Sequence, residues 1–353
     1  MKREIGSSFY QLKETDKEFE VLKNSEVKSN QHYRLYNSGR SALLALFEEI
    51  LQKNKVNTIW LPEYYCHNVL NFLRRNYNNI KLYYINPFNY KIDYNFQRFA
   101  KKGDVIVLNN YFGLFEYNYN PKSTNRPIII EDHSHAWLSP QAKNSKADYC
   151  ICSVRKTYPI PGGGVTWIPK AKSDSDFYQN AKDESIEKAF HALSSSLSKK
   201  RVFLKENKGN KEDYLSLLAE GESFITASNS YVKPNKDLLK CLNDFIKLDP
   251  NVVKAKNLKY ILPKLSKSNH FKILNRKDFA PFGLLLLFNN ESVFTNFKSH
   301  FIENGIYPAN LWPNNDLRTQ WKYFFNIHID FRYDLDDMDY LATIINDWIK
   351  LNP

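Results

Sequence analysis

ADYCICSVRKTYPIPGGG, residues 147–164, is the stretch on which the reading of this chain turns. An apolar run ends at Ser153, an Arg–Lys pair and two prolines follow, and three consecutive glycines close the segment. The whole chain has 11 glycines, so three together mark a place where the backbone needs room that a side chain would fill. The apolar run has the composition of a buried strand. It delivers Lys156 into a loop just beyond the strand end.

Outward from this segment, strands and helices alternate. RSALLALFEEILQ places apolar residues at 43, 44, 46, 47, 50 and 51, the spacing of an amphipathic helix. NTIWLP then reads as a buried strand and CHNVLNFLRRNY as a helix. Short apolar runs recur at 80–85, 103–110, 126–132, 148–153 and 164–169. Their unbroken apolar character predicts strands buried on both faces, hence a mostly parallel sheet in an α/β fold. From about 173 to 232 the pattern turns helical and polar, PFGLLLLFNN (281–290) restarts a strand, and DLDDMDYLATIINDWIK closes the chain as a helix. The expected organisation is a large domain over residues 1–240, including an N-terminal arm, and a smaller α+β domain over 241–353.

Composition sets the outer limits. With 353 residues, 42% hydrophobic and 25% charged, the chain is long enough for two lobes around a sizeable core. No apolar run reaches the roughly 20 residues of a membrane helix, and the first twenty residues lack a signal-peptide core. Four cysteines show neither zinc spacing nor a disulfide framework. A cytoplasmic protein without a membrane partner is expected. The net charge of +12 is spread along the chain, so no nucleic-acid partner is expected. The one basic segment, SKKRVFLKENKGNK (198–211), reads as a solvated helical face.

The polar residues fall at matching places. PEYYC, NNYFG, EDHSH and SVRK each begin where a predicted strand stops. In an open parallel sheet, ligands collect outside the carboxyl ends of the strands. Ser38 is placed to cap the helix after NSGR, and Gly39 allows close approach to its free amides, which suit a phosphate. A lysine desolvated at a strand end can form a Schiff base, and an aspartate can hold a protonated pyridine nitrogen. Lys156, Asp132 and a phosphate cradle together are what a pyridoxal phosphate enzyme requires. Each has a plainer use as well: a solvated loop lysine, a helix-capping aspartate, an ordinary glycine turn. HSH (133–135) lacks a third ligand at a telling spacing, and no metal is expected. The order of glycine-led helix, Asp132, Lys156 after 24 residues, then glycines favours the functional reading.

NSGRSALLAL, IIIEDHSHA and DYCICSVRKTYPIPGGGV resemble the three signature segments of fold-type I pyridoxal phosphate enzymes, with the DegT/StrS-type sugar-nucleotide aminotransferases as the nearest group. The resemblance covers roughly residues 1–170, and NGIYPANLWP…FNIHIDFRYDLDDMDYL is a weaker match to an outlying branch. It implies that Lys156 is the Schiff-base lysine and Asp132 the partner of the pyridine nitrogen. It implies that Gly39, Arg40 and Ser41, with Ser153, hold the phosphate. His135 stands where the sugar enzymes have a glutamine beside the ring hydroxyl, and Tyr65 or Tyr64 where an aromatic stacks on the ring. Arg332 stands where many fold-type I enzymes face the substrate with an arginine, and a pair with Asp330, Asp334 or Asp336 is its alternative use.

Three departures stand out. Arg40 replaces a small hydroxyl residue, His135 replaces glutamine, and Lys156 follows its serine by only three residues. No version of the family's Gly-x-Asn-Tyr-Arg loop is found. The implied activity is a pyridoxal phosphate-dependent aminotransferase acting on a keto-sugar nucleotide or related precursor of surface polysaccharide, with glutamate as amino donor, working as a homodimer. The alternatives are another pyridoxal phosphate reaction on an amino acid, such as decarboxylation or aldol cleavage, and a non-catalytic binding module.

Overall fold

The computed structural model describes residues 4–6, 8–91, 94–171, 175–313 and 315–353. The N-terminal two thirds contain β1 (Ile5–Gly6), β2 (Arg34–Tyr36), β3 (Ile59–Pro62), β4 (Ile80–Tyr83), β5 (Val105–Asn109), β6 (Ile128–Asp132), β7 (Tyr149–Cys152) and β8 (Gly164–Trp167). The remainder contains β9 (Phe271–Leu274), β10 (Leu284–Phe288), β11 (Ile306–Tyr307) and β12 (Tyr323–Ile327).

The large sheet has the order β2-β8-β7-β6-β5-β3-β4. Neighbours from β4 through β7 pair in parallel. β8 runs antiparallel to both β7 and β2. The sheet is thus mostly parallel, as the unbroken apolar runs require: β5 is buried at every position, and that is the burial of a strand covered on both faces. Helices Gly39–Lys53 and His67–Asn76 lie beside β3 in the chain, and the second makes the crossover from β3 to β4 that a parallel pair needs.

The three glycines have a definite use. Gly163 donates its N–H to the Asn37 carbonyl at 2.7 Å. A Cβ on Gly164 would stand 2.1 Å from the Ser38 oxygen, and one on Gly162 2.7 Å from the Asn37 oxygen. Gly163 itself has φ +122°, a conformation that side chains resist. Backbone 37–39 therefore lies directly on backbone 162–164, and the helix that starts at Gly39 is held against the end of β7. Ser38 caps that helix by accepting the Ser41 N–H at 3.0 Å.

The second lobe is built on the antiparallel sheet β12-β10-β9, with Phe288, Phe297, Phe325 and Trp348 in its core. β1 pairs in parallel with β11, so the N-terminal arm reaches this lobe and Ile5 joins its core. Helix Lys236–Phe245 crosses position 240 and buries Leu238, Leu242 and Phe245 in the large lobe's core. Residues of the C-terminal part, among them Leu285, Phe324 and Phe331, also pack into this core.

The helical region is a hairpin of Glu184–Lys205 and Lys211–Ala227. Its expected onset near 173 falls at 172–174, outside the described residues. Its basic segment is a solvated face only in part, with Lys199 and residues 206–210 exposed. Lys200 bonds Glu4 at 2.5 Å, Arg201 grips Asp16, and Lys205 bonds Glu18 at 2.5 Å. Acidic residues of the N-terminal arm take up these cations, a pairing no local sequence pattern records. Among the described residues, no helix is long and apolar enough to cross a membrane.

Gly164→Ala must push Ser38 and the helix start away from β8. We expect a loss of about 1–3 kcal/mol, the range for a methylene forced into a packed interior, read by denaturant unfolding. Stability equal to the parent would show that the 37–39 backbone yields freely.

Candidate active site

The four polar clusters converge. One cleft at the carboxyl ends of the central strands is lined by Tyr65 and Cys66 after β3, Asn109 at the end of β5, Asp132 and His135 at and after β6, and Ser153, Arg155 and Lys156 after β7. Ser38, Gly39 and Arg40, at the start of helix Gly39–Lys53, complete the wall. A Cβ on Gly39 would meet the Ser153 Cβ at 2.7 Å, so the helix start and the end of β7 touch.

Asp132 is held rigidly. Its Oδ1 accepts the Ser134 N–H at 2.8 Å and its Oδ2 accepts the Tyr65 hydroxyl at 2.5 Å. The Ser153 N–H in turn donates to Ser134 Oγ at 2.9 Å, linking the aspartate loop to the lysine loop. Lys156 Nζ lies 3.5 Å from His135 Nε2. The Phe112 N–H donates to Nδ1 of the same ring at 3.4 Å. Burial, then the charges of Lys156 and Lys254, hold His135 well below the usual histidine range.

Two donors in this cleft lack partners. Both terminal nitrogens of Arg40 and the Asn109 Nδ2 are buried without a hydrogen bond. Arg40 is 7% exposed, and its guanidinium lies over the Phe72 ring at 4.8 Å. An unpaired buried cation is costly, and at a helix start with free amides its natural complement is an anion. A phosphate-bearing ring compound fits these residues: Arg40, Gly39 and Ser153 at the anion end, Asp132 and Lys156 at the other.

Solved structures share the fold of this chain. The putative sugar aminotransferase Spr1654 from Streptococcus pneumoniae, in its PLP-form, superposes with TM-score 0.58 at 11% identity, over 98% of this chain and 98% of that one. The aminotransferase PseC of Helicobacter pylori gives TM-score 0.56 at 13% identity, over 99% and 100% of the two chains. The sugar aminotransferase CalS13 from Micromonospora echinospora gives 0.56 at 11%, over 97% and 99%. The chain has the fold of these three structures. Its large mostly parallel sheet and smaller C-terminal lobe are the fold-type I architecture. No family model and no curated protein matches the sequence.

Not every expected residue reaches the cleft of this fold. Ser41 is buried one turn into the helix, where its N–H is spent on the Ser38 cap. Tyr64 turns away and donates to the Leu311 carbonyl at 3.1 Å. Tyr65 lines the cleft and donates its hydroxyl to Asp132. Arg332 forms a fork with Asp330 through contacts of 2.9 and 2.8 Å and donates to the Ser8 carbonyl at 2.9 Å. Its guanidinium braces the N-terminal arm outside the cleft, and Asp330 is held far below the usual carboxylate range by it.

Other residues belong to the cleft without a sequence signal that marks them. Arg155 pairs with Glu222 through two contacts, 2.5 and 2.7 Å, which ties the lysine loop to helix Lys211–Ala227. Trp312 enters from the C-terminal lobe. Adjacency to Lys156 was the only available hint for Arg155; for Glu222 and Trp312 there was none. Behind the cleft, Glu131, His133 and Cys150 offer ligand atoms within 4.8 Å of one another. Their hydrogen bonds are already made: Glu131 accepts from Ser145 at 2.7 Å and Tyr119 at 2.9 Å, and contacts His133 at 3.1 Å. Burial pushes the Cys150 thiol well up, so it stays protonated. The trio reads as a polar network supporting β6.

Burial also holds His328 low. Histidines kept neutral in the fold favour it above the ordinary value near 6.5, and that stability is lost as pH falls below it. Each contributes at most about 1.4 kcal/mol per pH unit. His135→Gln should therefore flatten the decline in unfolding free energy between about pH 6.5 and 5. An unchanged slope would mean that His135 titrates normally in the fold.

Proposed function

We propose that the chain is a pyridoxal phosphate-dependent aminotransferase that acts on a keto sugar, in nucleotide-linked form, with glutamate as amino donor. The observation that supports it best is the single cleft joining Lys156, Asp132 and the unpartnered Arg40 guanidinium at a helix start. The cofactor, when bound, withdraws electrons from the carbon that carries the amino group. Everything else falls to the chain. Arg40, Gly39 and Ser153 would hold the phosphate, and Asp132 would hold the pyridine nitrogen protonated. Tyr65 and the Ser134 N–H keep that carboxylate aimed. Lys156 would be the amine that holds the cofactor and moves the proton, with His135 Nε2 3.5 Å from it.

Room for a substrate lies on the other side of Lys156. A second chamber is bounded by Ser8 and Phe9 of the arm, Leu193 and Leu218 of the helical hairpin, and Phe282 and His328 of the C-terminal lobe. The hairpin and the arm screen Lys156 from water, which favours proton transfer between fixed groups. Since Arg332 is spent on Asp330, the donor's carboxylate is read elsewhere in this scheme. Work in the cytoplasm, as a homodimer, in surface polysaccharide biosynthesis completes the reading.

Borohydride treatment of the protein as purified should fix the cofactor to one peptide, the one containing Lys156, and glutamate added first should prevent the labelling. A label at another lysine would remove Lys156 from the chemistry. Asp132→Asn should keep bound cofactor but lose about a hundredfold to a thousandfold in turnover, the scale of a lost electrostatic contact in an active site. Parent-like turnover would leave Asp132 as a loop cap for Ser134.

A further inference from the structure

We propose that Trp312 is a positioning residue for Lys156, its indole face forming with His135 the seat in which the lysine's amino group rests. Three observations lead there. First, Lys156 Nζ lies 5.5 Å from the centre of the Trp312 ring, within the range in which an aromatic face attracts an ammonium. Second, the carboxylates around the cleft are committed elsewhere. Glu222 is gripped by Arg155, Asp132 by Tyr65 and the Ser134 N–H, and Asp330 by Arg332. Among the described residues, none makes an ion pair with Lys156. Glu222 attracts it through space, and the indole face adds an attraction of its own beside the amino group.

Third, Trp312 fixes His135 as well. The two rings lie 5.2 Å apart at 30°, while Phe112 lies 5.6 Å from the imidazole at 6° and Phe282 4.8 Å from it at 29°. This aromatic stack keeps Nε2 aimed at Lys156. Trp312 reaches the position at a cost, with φ +48° in a bulky residue, and such conformations persist where surrounding contacts over-determine them. Its loop is tied on the near side by Tyr64 Oη donating to the Leu311 carbonyl and by Ala309 pairing with Asn326. The C-terminal lobe thereby contributes one wall to a site otherwise built on the large sheet. The inference takes its meaning from Lys156 being the reacting amine, but its test does not require the cofactor.

The test is the reactivity of Lys156 toward an amine-acylating reagent in the full chain freed of cofactor, at one pH, quantified peptide by peptide. The ammonium form does not react, and the indole face favours it. Trp312→Leu should raise Lys156 labelling about twofold to fivefold, the factor that a cation–π contact at its usual strength corresponds to. Trp312→Phe, which keeps a weaker aromatic face, should fall between. Lys254 serves as the internal control: it is 5% exposed and lies in the same region, so a loop that merely opened would unmask it too. Lys156 labelling equal to the parent, or an equal rise at Lys254, would overturn the proposal. If Trp312→Leu does not fold, Lys156→Met supplies the reciprocal measurement. Removing the ammonium should shift tryptophan emission in the parent background and leave it unmoved in Trp312→Phe; the same shift in both would refute the contact. Failure of the borohydride experiment, by contrast, would leave these labelling ratios untouched.

Discussion

Backbone lying on backbone is the constraint from which the site follows. Residues 37–39 rest on 162–164 because three glycines leave nothing between them, and Gly164 would place any Cβ 2.1 Å from the Ser38 oxygen. This contact sets a helix start beside the end of β7. From it come the nearness of Gly39 to Ser153, the entry of Arg40 into the cleft, and the convergence of an anion-binding end with Lys156. A side chain at Gly162 or Gly164 would push the two backbones apart, and one at Gly163 would meet Leu242 and Val154 instead.

Charge in and around the cleft is almost fully paired, and the exceptions mark the function. Arg155 with Glu222, Arg332 with Asp330, and Lys200 with Glu4 are buried or half-buried pairs that hold the arm, the hairpin and the C-terminal lobe around the large sheet. Breaking one partner of such a pair strands the other charge, which makes them effective fasteners. Arg40 and Lys156 are left outside this pairing. One is turned toward the helix start and the other toward an indole face and a neutral imidazole. Among the described residues, Arg40 and Lys156 are two cations of one cleft that make no ion pair.

Much of the large lobe was legible in the sequence. Buried parallel strands show themselves as unbroken apolar runs, because both faces of each strand are covered, and their ends show as abrupt polar clusters. Asp132, Ser153, Lys156 and Gly39 were found this way and stand together in the cleft. Arg40 was legible as a position but not as a chemistry, since only its burial without a partner shows what it awaits. Tyr65 was legible as a residue of this cleft, but its bond to Asp132 was not, because the hydroxyl's reach depends on how β3 and β6 sit across the intervening β5.

What the sequence alone determined was therefore local and periodic: the α/β class, the strand ends, the capped helix, and the lysine and aspartate at their termini. Only the tertiary structure decided which charges pair across long separations. Arg332 is claimed by an aspartate two residues away and by the arm more than three hundred residues distant. The basic segment at 198–211 meets the acids of the arm, and Trp312 crosses from the C-terminal lobe to Lys156. Periodicity records which face of an element is buried, but not what it is buried against, and a charge or an indole finds its partner only when separate elements are packed.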